Sequence, residues 1–490
     1  MLKGVPFLLA SALAATIPAA AAATSAPPSA KGVRPETIVE LRGLLSSGQC
    51  TELLARLAAL PKDPPQADLL VFEGNCRLRE ATHRAKAFDA VRYERARVGA
   101  GNAPLDPAAT AQFYRWDITW DDPARDDALA LFDRALALEP DRTDLIVGTI
   151  AARLEGGHAD QAVALFTESA SRLDEPARVD LYQVVQDRLA LGRVDEASAL
   201  AGAMVAAAPA SPAAEAAAGS AALARRDLAA AATAFEKAAS GGPLTAEQAR
   251  ELALLAILRR DWSAAVNALA PVASRSAELT TWFALARGRI EPRSATPIWQ
   301  EVKRSLAKIE KPDPRATAIV DYFLGASKAD PPPTPSARVR AARRFLDGRI
   351  YVPALVEADR AVFEDPQSVA GYKTLADVYR ALSYPELGLG PIDQAIATAA
   401  KDPKQAGYGP GELQRERAEL LFASGRDAEA AAAFAEAAKQ GDAAPFAWGL
   451  AALASGQRDV AVEQFKAAVA GGGNDAAAAR AKLTELGVGP

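Results

Sequence analysis

Hydrophobic and polar positions in this chain recur in one form. A turn carrying Gly or Arg is followed by a small residue five positions on, a bulky residue four later, and a small or apolar residue three after that. The stretches GGHADQAVALFTES, LGRVDEASALAGAM, RRDLAAAATAFEKAA, RRDWSAAVNALAPV, SGRDAEAAAAFAEAA and SGQRDVAVEQFKAAV share this form, and DDPARDDALALFDRALALEP near residue 120 also fits. Residues at i, i+4 and i+7 lie on one face of an α-helix, so each stretch predicts a helix with a single packing stripe. No sustained period-two run of β-branched and aromatic residues competes with this reading, and glycine, proline and polar residues punctuate stretches of helical length.

The first small residue of each frame falls at Ala128, Ala162, Ala197, Ala231 and Ala265, separated by 34, 35, 34 and 34 residues. Further frames at Ala354, Ala395, Ala430 and Ala461 are less even and end on a 31-residue step. Alanine alone is weak support in an alanine-rich chain, so the bulky position is the better test. Phenylalanine fills it at Phe132, Phe166, Phe235, Phe434 and Phe465, five of nine frames, although only 15 of 490 residues are Phe. Composition alone would supply about 0.3.

Small residues on the stripe let a neighbouring helix approach, and the phenylalanine fills the space between successive pairs. One pair cannot bury such a face alone, whereas stacked pairs can. Turn chemistry agrees. Asp106-Pro107 and Ser211-Pro212 place a capping side chain before a proline at the first helical position, and Thr245 with Gln248 has capping-box spacing. Pro140, Pro243 and Pro366 each follow their marker alanine by twelve residues, where the helix should stop.

On these residues the chain resembles the tetratricopeptide repeat family over roughly 106–486. Tyr372, Leu375, Ala376 and Tyr379 reproduce the family's first-helix spacing, and Gly219 and Gly449 match its small glycine position. Elsewhere the first helix departs from the pattern. The resemblance implies an all-α, right-handed superhelical solenoid of antiparallel helix pairs, with first helices lining a concave, ligand-binding groove. Placed by periodicity on those helices, Tyr182, Gln186, Arg250, Lys373, Asp377, Arg380, Arg415 and Glu419 are the groove candidates.

Residues 1–23 have the build of a cleaved export signal: a lysine, an apolar run from Val5 to about Ile17, and a small-residue stretch ending at Ala23. Pro6 and Pro18 and the many alanines make a retained anchor the weaker alternative. A linker at 24–35 follows, then a degenerate helical cap over 36–105, read as helical segments at 36–60, 66–80 and 81–99. A first array spans 106–330 and a second 336–490, divided at the Pro331–Pro335 run, and Asp475 to Leu486 forms a closing helix.

Composition narrows the chemistry. Half of the residues are hydrophobic but only 6% aromatic, and a net charge of −5 without a long basic run leaves no footprint for nucleic acid. The two cysteines, Cys50 and Cys76, form a disulfide if the chain is exported; the alternative is two buried thiols. Histidine occurs only at His83, in the basic segment THRAKAF read as helix, and at His158, in a turn. The acidic cluster Asp117, Asp121, Asp122, Asp126 and Asp127 lacks an EF-hand loop's glycine and terminal glutamate, and its position before a helix favours capping over calcium. Ser305 with Lys308 matches a nucleophile spacing without its companion motifs, and Gly99-Ala100-Gly101 and Gly388-Leu389-Gly390 are too short for dinucleotide fingerprints. Trp116 and Trp120, read as four apart on one helix, are assigned to core packing over an exposed platform.

With no catalytic constellation, cofactor site or metal site in view, the expected function is a non-enzymatic periplasmic or secreted scaffold. It would bind protein segments on its concave surface, within cell-envelope assembly or polysaccharide export. A glycan-binding module, a structural spacer and a hydrolase are the alternatives, the hydrolase least supported.

Overall fold

The computed structural model describes residues 33–88, 93, 95, 97, 114–309, 311–329, 332–403, 407–473 and 475–489. The expected export signal, most of the linker, Asp106-Pro107 and Gly99-Ala100-Gly101 lie outside them. Among the described residues two compact units are present: 33–88 with 114–272, and 93, 95 and 97 with 273–489.

The first unit runs α1 (Pro35–Ser46), α2 (Cys50–Ala58), α3 (Ala67–Ala81), β1 (Thr82–Phe88), β2 (Tyr114–Trp120), α4 (Asp122–Leu138), α5 (Thr143–Glu155) and α6 (Ala159–Ser169). It continues through α7 (Glu175–Ala190), α8 (Val194–Ala207), α9 (Pro212–Ala224), α10 (Leu228–Gly241), α11 (Ala246–Leu258) and α12 (Trp262–Leu269). The second contains α13 (Ala277–Ile290), α14 (Ala295–Leu306), α15 (Pro314–Lys328), α16 (Pro335–Asp347), α17 (Tyr351–Glu364) and α18 (Val369–Ala381). It closes with α19 (Pro385–Lys401), α20 (Pro410–Ala423), α21 (Asp427–Lys439), α22 (Pro445–Ala454), α23 (Arg458–Gly471) and α24 (Ala476–Glu485).

The architecture is an all-α helical solenoid of consecutive helix pairs. All nine marker alanines are fully buried, as are the five phenylalanines four positions on. The turn that opens each second helix has a physical reason for its Gly or Arg. Gly157, Gly192, Arg226, Arg260, Arg349, Ser383, Gly425 and Gly456 all have positive φ, between 58° and 80°, each where the chain reverses between the helices of a pair. Glycine occupies this left-handed region without the Cβ penalty that arginine or serine bears.

Ser383 also corrects one frame. The left-handed residue lies five positions before its marker everywhere else, which makes Gly388 the marker of the α18–α19 pair and restores a 34-residue step from Ala354. A Cβ on Gly388 would stand 3.2 Å from the Ala376 carbonyl oxygen, so the two helices meet closely here. Ala395, seven residues on, is buried as the third residue of the same stripe.

The first pair was obscured in sequence because its helices are not consecutive. Gly74 of α3 faces Phe132 of α4, with a Cβ at Gly74 placed 2.8 Å from the ring, although the hairpin strands and residues 89–113 intervene. The segment THRAKAF is therefore a strand and not the start of a helix over 81–99. It pairs antiparallel with β2, from Thr82 opposite Trp120 to Phe88 opposite Tyr114. YRWDITW does alternate in the period-two manner, over seven residues only. Trp116 and Trp120 consequently lie on a strand. Trp120 Nε1 donates to the Glu155 carbonyl at 2.9 Å, and its ring packs on Gly157. The hairpin is held further by Arg84, which pairs with the buried Glu155, itself bonded to Arg188 Nη2 at 2.7 Å.

The expected caps at Ser211 and Thr245 form. Ala214 N donates to Ser211 Oγ at 3.2 Å, and Thr245 and Gln248 exchange both capping-box bonds. Asp121 caps α4 by accepting from Ala124 N, while Asp122 and Asp126 pair with Arg125. A disulfide joins Cys50 and Cys76, Cα atoms 5.3 Å apart, and staples α2 to α3. The compact units divide between Val272 and Ala273, so α13–α15 belong with the second unit. Within the proline run near 331–335, Pro335 opens α16 and Thr334 caps it, accepting from Ala337 N.

Candidate functional site

In the first unit a cleft of about 330 Å³ opens between α7, α9 and α11. Its origin is compositional. α9 reads PAAEAAAGSAALA, and the short side chains of Ser220 and Ala224 leave space between α7 and α11 that longer residues would fill. Tyr182 and Gln186 of α7 line it with Phe235 of α10 and Glu247 and Glu251 of α11. Gln186 Nε2 is buried and finds no acceptor among the described residues. A buried unsatisfied donor costs roughly 1–3 kcal/mol, which an incoming acceptor would recover. Arg250 is half-exposed and donates to the neighbouring Glu251 at 2.7 Å.

In the second unit the other five candidates form one charged network between α18 and α20. Lys373, Asp377 and Arg380 stand at i, i+4 and i+7 on α18, and Arg415, Glu416 and Glu419 share a face of α20. Lys373 Nζ lies 3.2 Å from Asp377 and 3.3 Å from Glu416. Arg380 reaches Asp377, Glu416 and Glu419 at 2.8, 2.7 and 3.1 Å. Arg415 pairs with Glu419 at 2.7 Å and with Asp442 at 3.0 Å. Arg343 adds a bond to the Tyr408 hydroxyl, whose ring also lies 5.9 Å from Lys373 Nζ.

Burial sets the electrostatics of this network. Desolvation, with the charge of Glu416, raises the Asp377 carboxyl to about 6 and that of Glu419 to about 7. Glu416 is itself held below its ordinary value, because Arg380 and Lys373 outweigh its own desolvation. Lys373, Arg380 and Arg415 are raised by the surrounding carboxylates against burial. These side chains pair with one another and cross-brace α18 to α20. Glu416 and Asp442, which complete the network, escaped sequence reading; Glu416 lies one helical turn before Glu419, while Asp442 sits in the turn after α21.

A third locus is a cavity of about 130 Å³ in the second unit, lined by Arg289, Arg338 and Arg360 beside Trp299 and Phe323, whose rings stack at 5.1 Å. Arg338 is buried and bonded to Glu357 and Glu364 at 3.0 and 2.8 Å. Tyr322 donates to Glu357 at 2.8 Å, and burial followed by the Glu357 charge raises its phenol well above the usual range.

The remaining candidates gather no chemistry. His83 is exposed on β1 and His158 precedes α6, 3.7 Å from Asp126, while Ser305 lies in the last turn of α14. Among the described residues, no three or more His, Cys, Asp or Glu side chains are placed to hold a metal ion, and no helix is long and apolar enough to cross a membrane.

No family model matches the chain, and no curated protein matches it. Among solved structures, the P58(IPK) TPR domain aligns over 77% of this chain and 99% of its own, at 14% identity and a TM-score of 0.21. Yeast Tom70 covers 92% and 95% at 13% identity and 0.22. A human IFIT1 dimer with m7Gppp-AAAA covers 78% and 94% at 11% identity and 0.25. At such scores the superpositions bear no weight, and the helix pairing rests on this chain's own packing. The chain is a helical-repeat protein, and its structural neighbours are TPR domains.

Proposed function

We propose that this chain is a non-enzymatic scaffold that binds a segment of another protein in the α7–α11 cleft. The observation that carries the reading is Gln186, which lines a cleft edged by Tyr182, Phe235, Glu247 and Glu251 and whose buried amide nitrogen has no acceptor among the described residues. A peptide backbone supplies the carbonyl that such a donor needs, and a rigid helix face positions it. The first helices then line a concave binding surface, as the repeat resemblance implies. The Cys50–Cys76 disulfide and the apolar, small-residue N-terminus support an exported chain, periplasmic or secreted, serving a cell-envelope or polysaccharide-export assembly.

Photo-crosslinking tests this directly. A photoreactive residue at position 182 or 186 should capture a protein in cells that the same probe at Val179, exposed on α7, does not. Identical adducts from both faces would sink the cleft assignment, and a glycan or no adduct from position 182 would sink the protein-scaffold reading.

A further inference from the structure

The regular spacing of the repeats is lost between Ala265 and Ala354, where no marker alanine falls. The cavity of about 130 Å³ lies in that stretch, among α13, α14, α15, α16 and α17. Arg289, Arg338 and Arg360 line it together with apolar Leu285, Phe323 and Val356. Among the described residues no Asp or Glu lines it. The carboxylates that balance these arginines, Glu357, Asp359 and Glu364, stand outside the lining.

Hydrogen-bond donors are left over at this cavity. Arg338, only 2% exposed, spends Nε on Glu364 and Nη1 on Glu357, while its Nη2 bonds to no described residue. Arg360 stands 4.0 Å from Glu357 and 3.6 Å from Glu364, too far for a hydrogen bond. Trp299 is likewise 2% exposed, yet its indole Nε1 makes no hydrogen bond to a described residue. That nitrogen lies 3.9 Å from the position of a Cβ on Gly288, which also lines the cavity. Buried donors in folded proteins are nearly always paired, so three around one cavity call for an acceptor. Burial, and then the charge of Arg360, lower the Arg289 guanidinium below its ordinary value, an effect that an anion would oppose.

Volume and wall chemistry select that acceptor. A cavity of roughly 150 Å³ admits a benzene ring, so this one holds about six to nine non-hydrogen atoms, too few for a peptide segment or a nucleotide. A carboxylate offers two acceptor oxygens that match the planar guanidinium, whereas a hydrated ion such as phosphate gains nothing from the apolar wall. We propose that this cavity binds a small organic acid, its carboxylate held by Arg338, Arg360 and Trp299 Nε1 and its apolar body set against Leu285, Phe323 and Val356. The site belongs to the second unit and adds a small-molecule ligand to the scaffold reading.

Isothermal titration calorimetry on the purified full-length chain tests this with benzoate, hexanoate, neutral benzamide, inorganic phosphate and N-acetylglutamate α-amide, which carries the same head on a peptide unit. Benzoate or hexanoate should bind one to one, with benzamide and phosphate weaker by about tenfold or more. R360M and W299F, which keep the bulk of each side chain, should each weaken the acid by about tenfold. G288L, which fills the cavity while keeping all three arginines, should abolish binding. Absence of a signal from both acids overturns the proposal, as does affinity unchanged in R360M and W299F, or binding that survives in G288L folded by circular dichroism. Phosphate or benzamide binding as tightly as the acids overturns the carboxylate assignment, and tighter binding of the glutamate amide overturns the free-acid one. None of these outcomes depends on whether the cleft at Gln186 recruits a protein.

Discussion

Gly449 of α22 lies so close to the Phe465 ring of α23 that a Cβ there would stand 2.6 Å from Cε1. G449A should therefore destabilise the protein by about 1–3 kcal/mol through overpacking, despite the better helix propensity of alanine. G219A, 2.9 Å from Phe235, should behave alike. Gly148, inside α5 with nothing within 4 Å, is the control: G148A should stabilise by about 0.5–1 kcal/mol. Urea midpoints for the three variants decide the matter, and uniform stabilisation would contradict the packing described.

Glu155 and Arg188 are both buried, joined at 2.7 Å, and they carry the hairpin through Arg84. Replacing Arg188 with methionine removes one of the two cations that neutralise Glu155. A loss of about 3–5 kcal/mol is expected, with a smaller one for E155M/R188M, in which no buried charge remains unpaired. Hydrogen exchange at β1, β2 and α5 should report the single substitution first.

The pH dependence follows from Asp377 and Glu419. Their folded values, about 6 and about 7, lie above those of an unfolded carboxylate, so the native state holds more protons in the interval between. Stability contributed by these two groups is highest near pH 4 and falls as pH rises to about 7. Glu416, shifted the other way, contributes stability that is lost on acidification. D377N/E419Q should flatten the decline of the urea midpoint between pH 4 and 7, and an unchanged slope would refute the assignment.

Reduction should act locally. Opening the Cys50–Cys76 bond, 26 residues apart in sequence, removes about 3 kcal/mol of chain-entropy stabilisation. C50A/C76A should lower the melting temperature and raise hydrogen exchange in α1–α3, leaving α20–α23 unaffected.

Much of the fold was legible along the chain because helix faces are local. The i, i+4, i+7 stripe, the left-handed turn and the caps at Ser211 and Thr245 each depend on residues within one or two helical turns. The hairpin was missed since seven alternating residues make a faint signal, and a strand is stabilised by a partner that the local pattern does not name. Arg380 and Arg415 lie on α18 and α20. That they pair with Glu416, Glu419 and Asp442 depends on how closely α18 and α20 approach.

Periodicity, burial of the marker alanines and the Gly-or-Arg turn were thus set by the order of residues alone, because backbone geometry converts spacing directly into a helix face. The α3–α4 pairing across an interruption, the frame at Gly388, the cleft left open by the small residues of α9 and the arginine-lined cavity beside Trp299 were decided in three dimensions. Each joins groups distant along the chain, and their energies arise from close packing and desolvation that exist only once the helices have met.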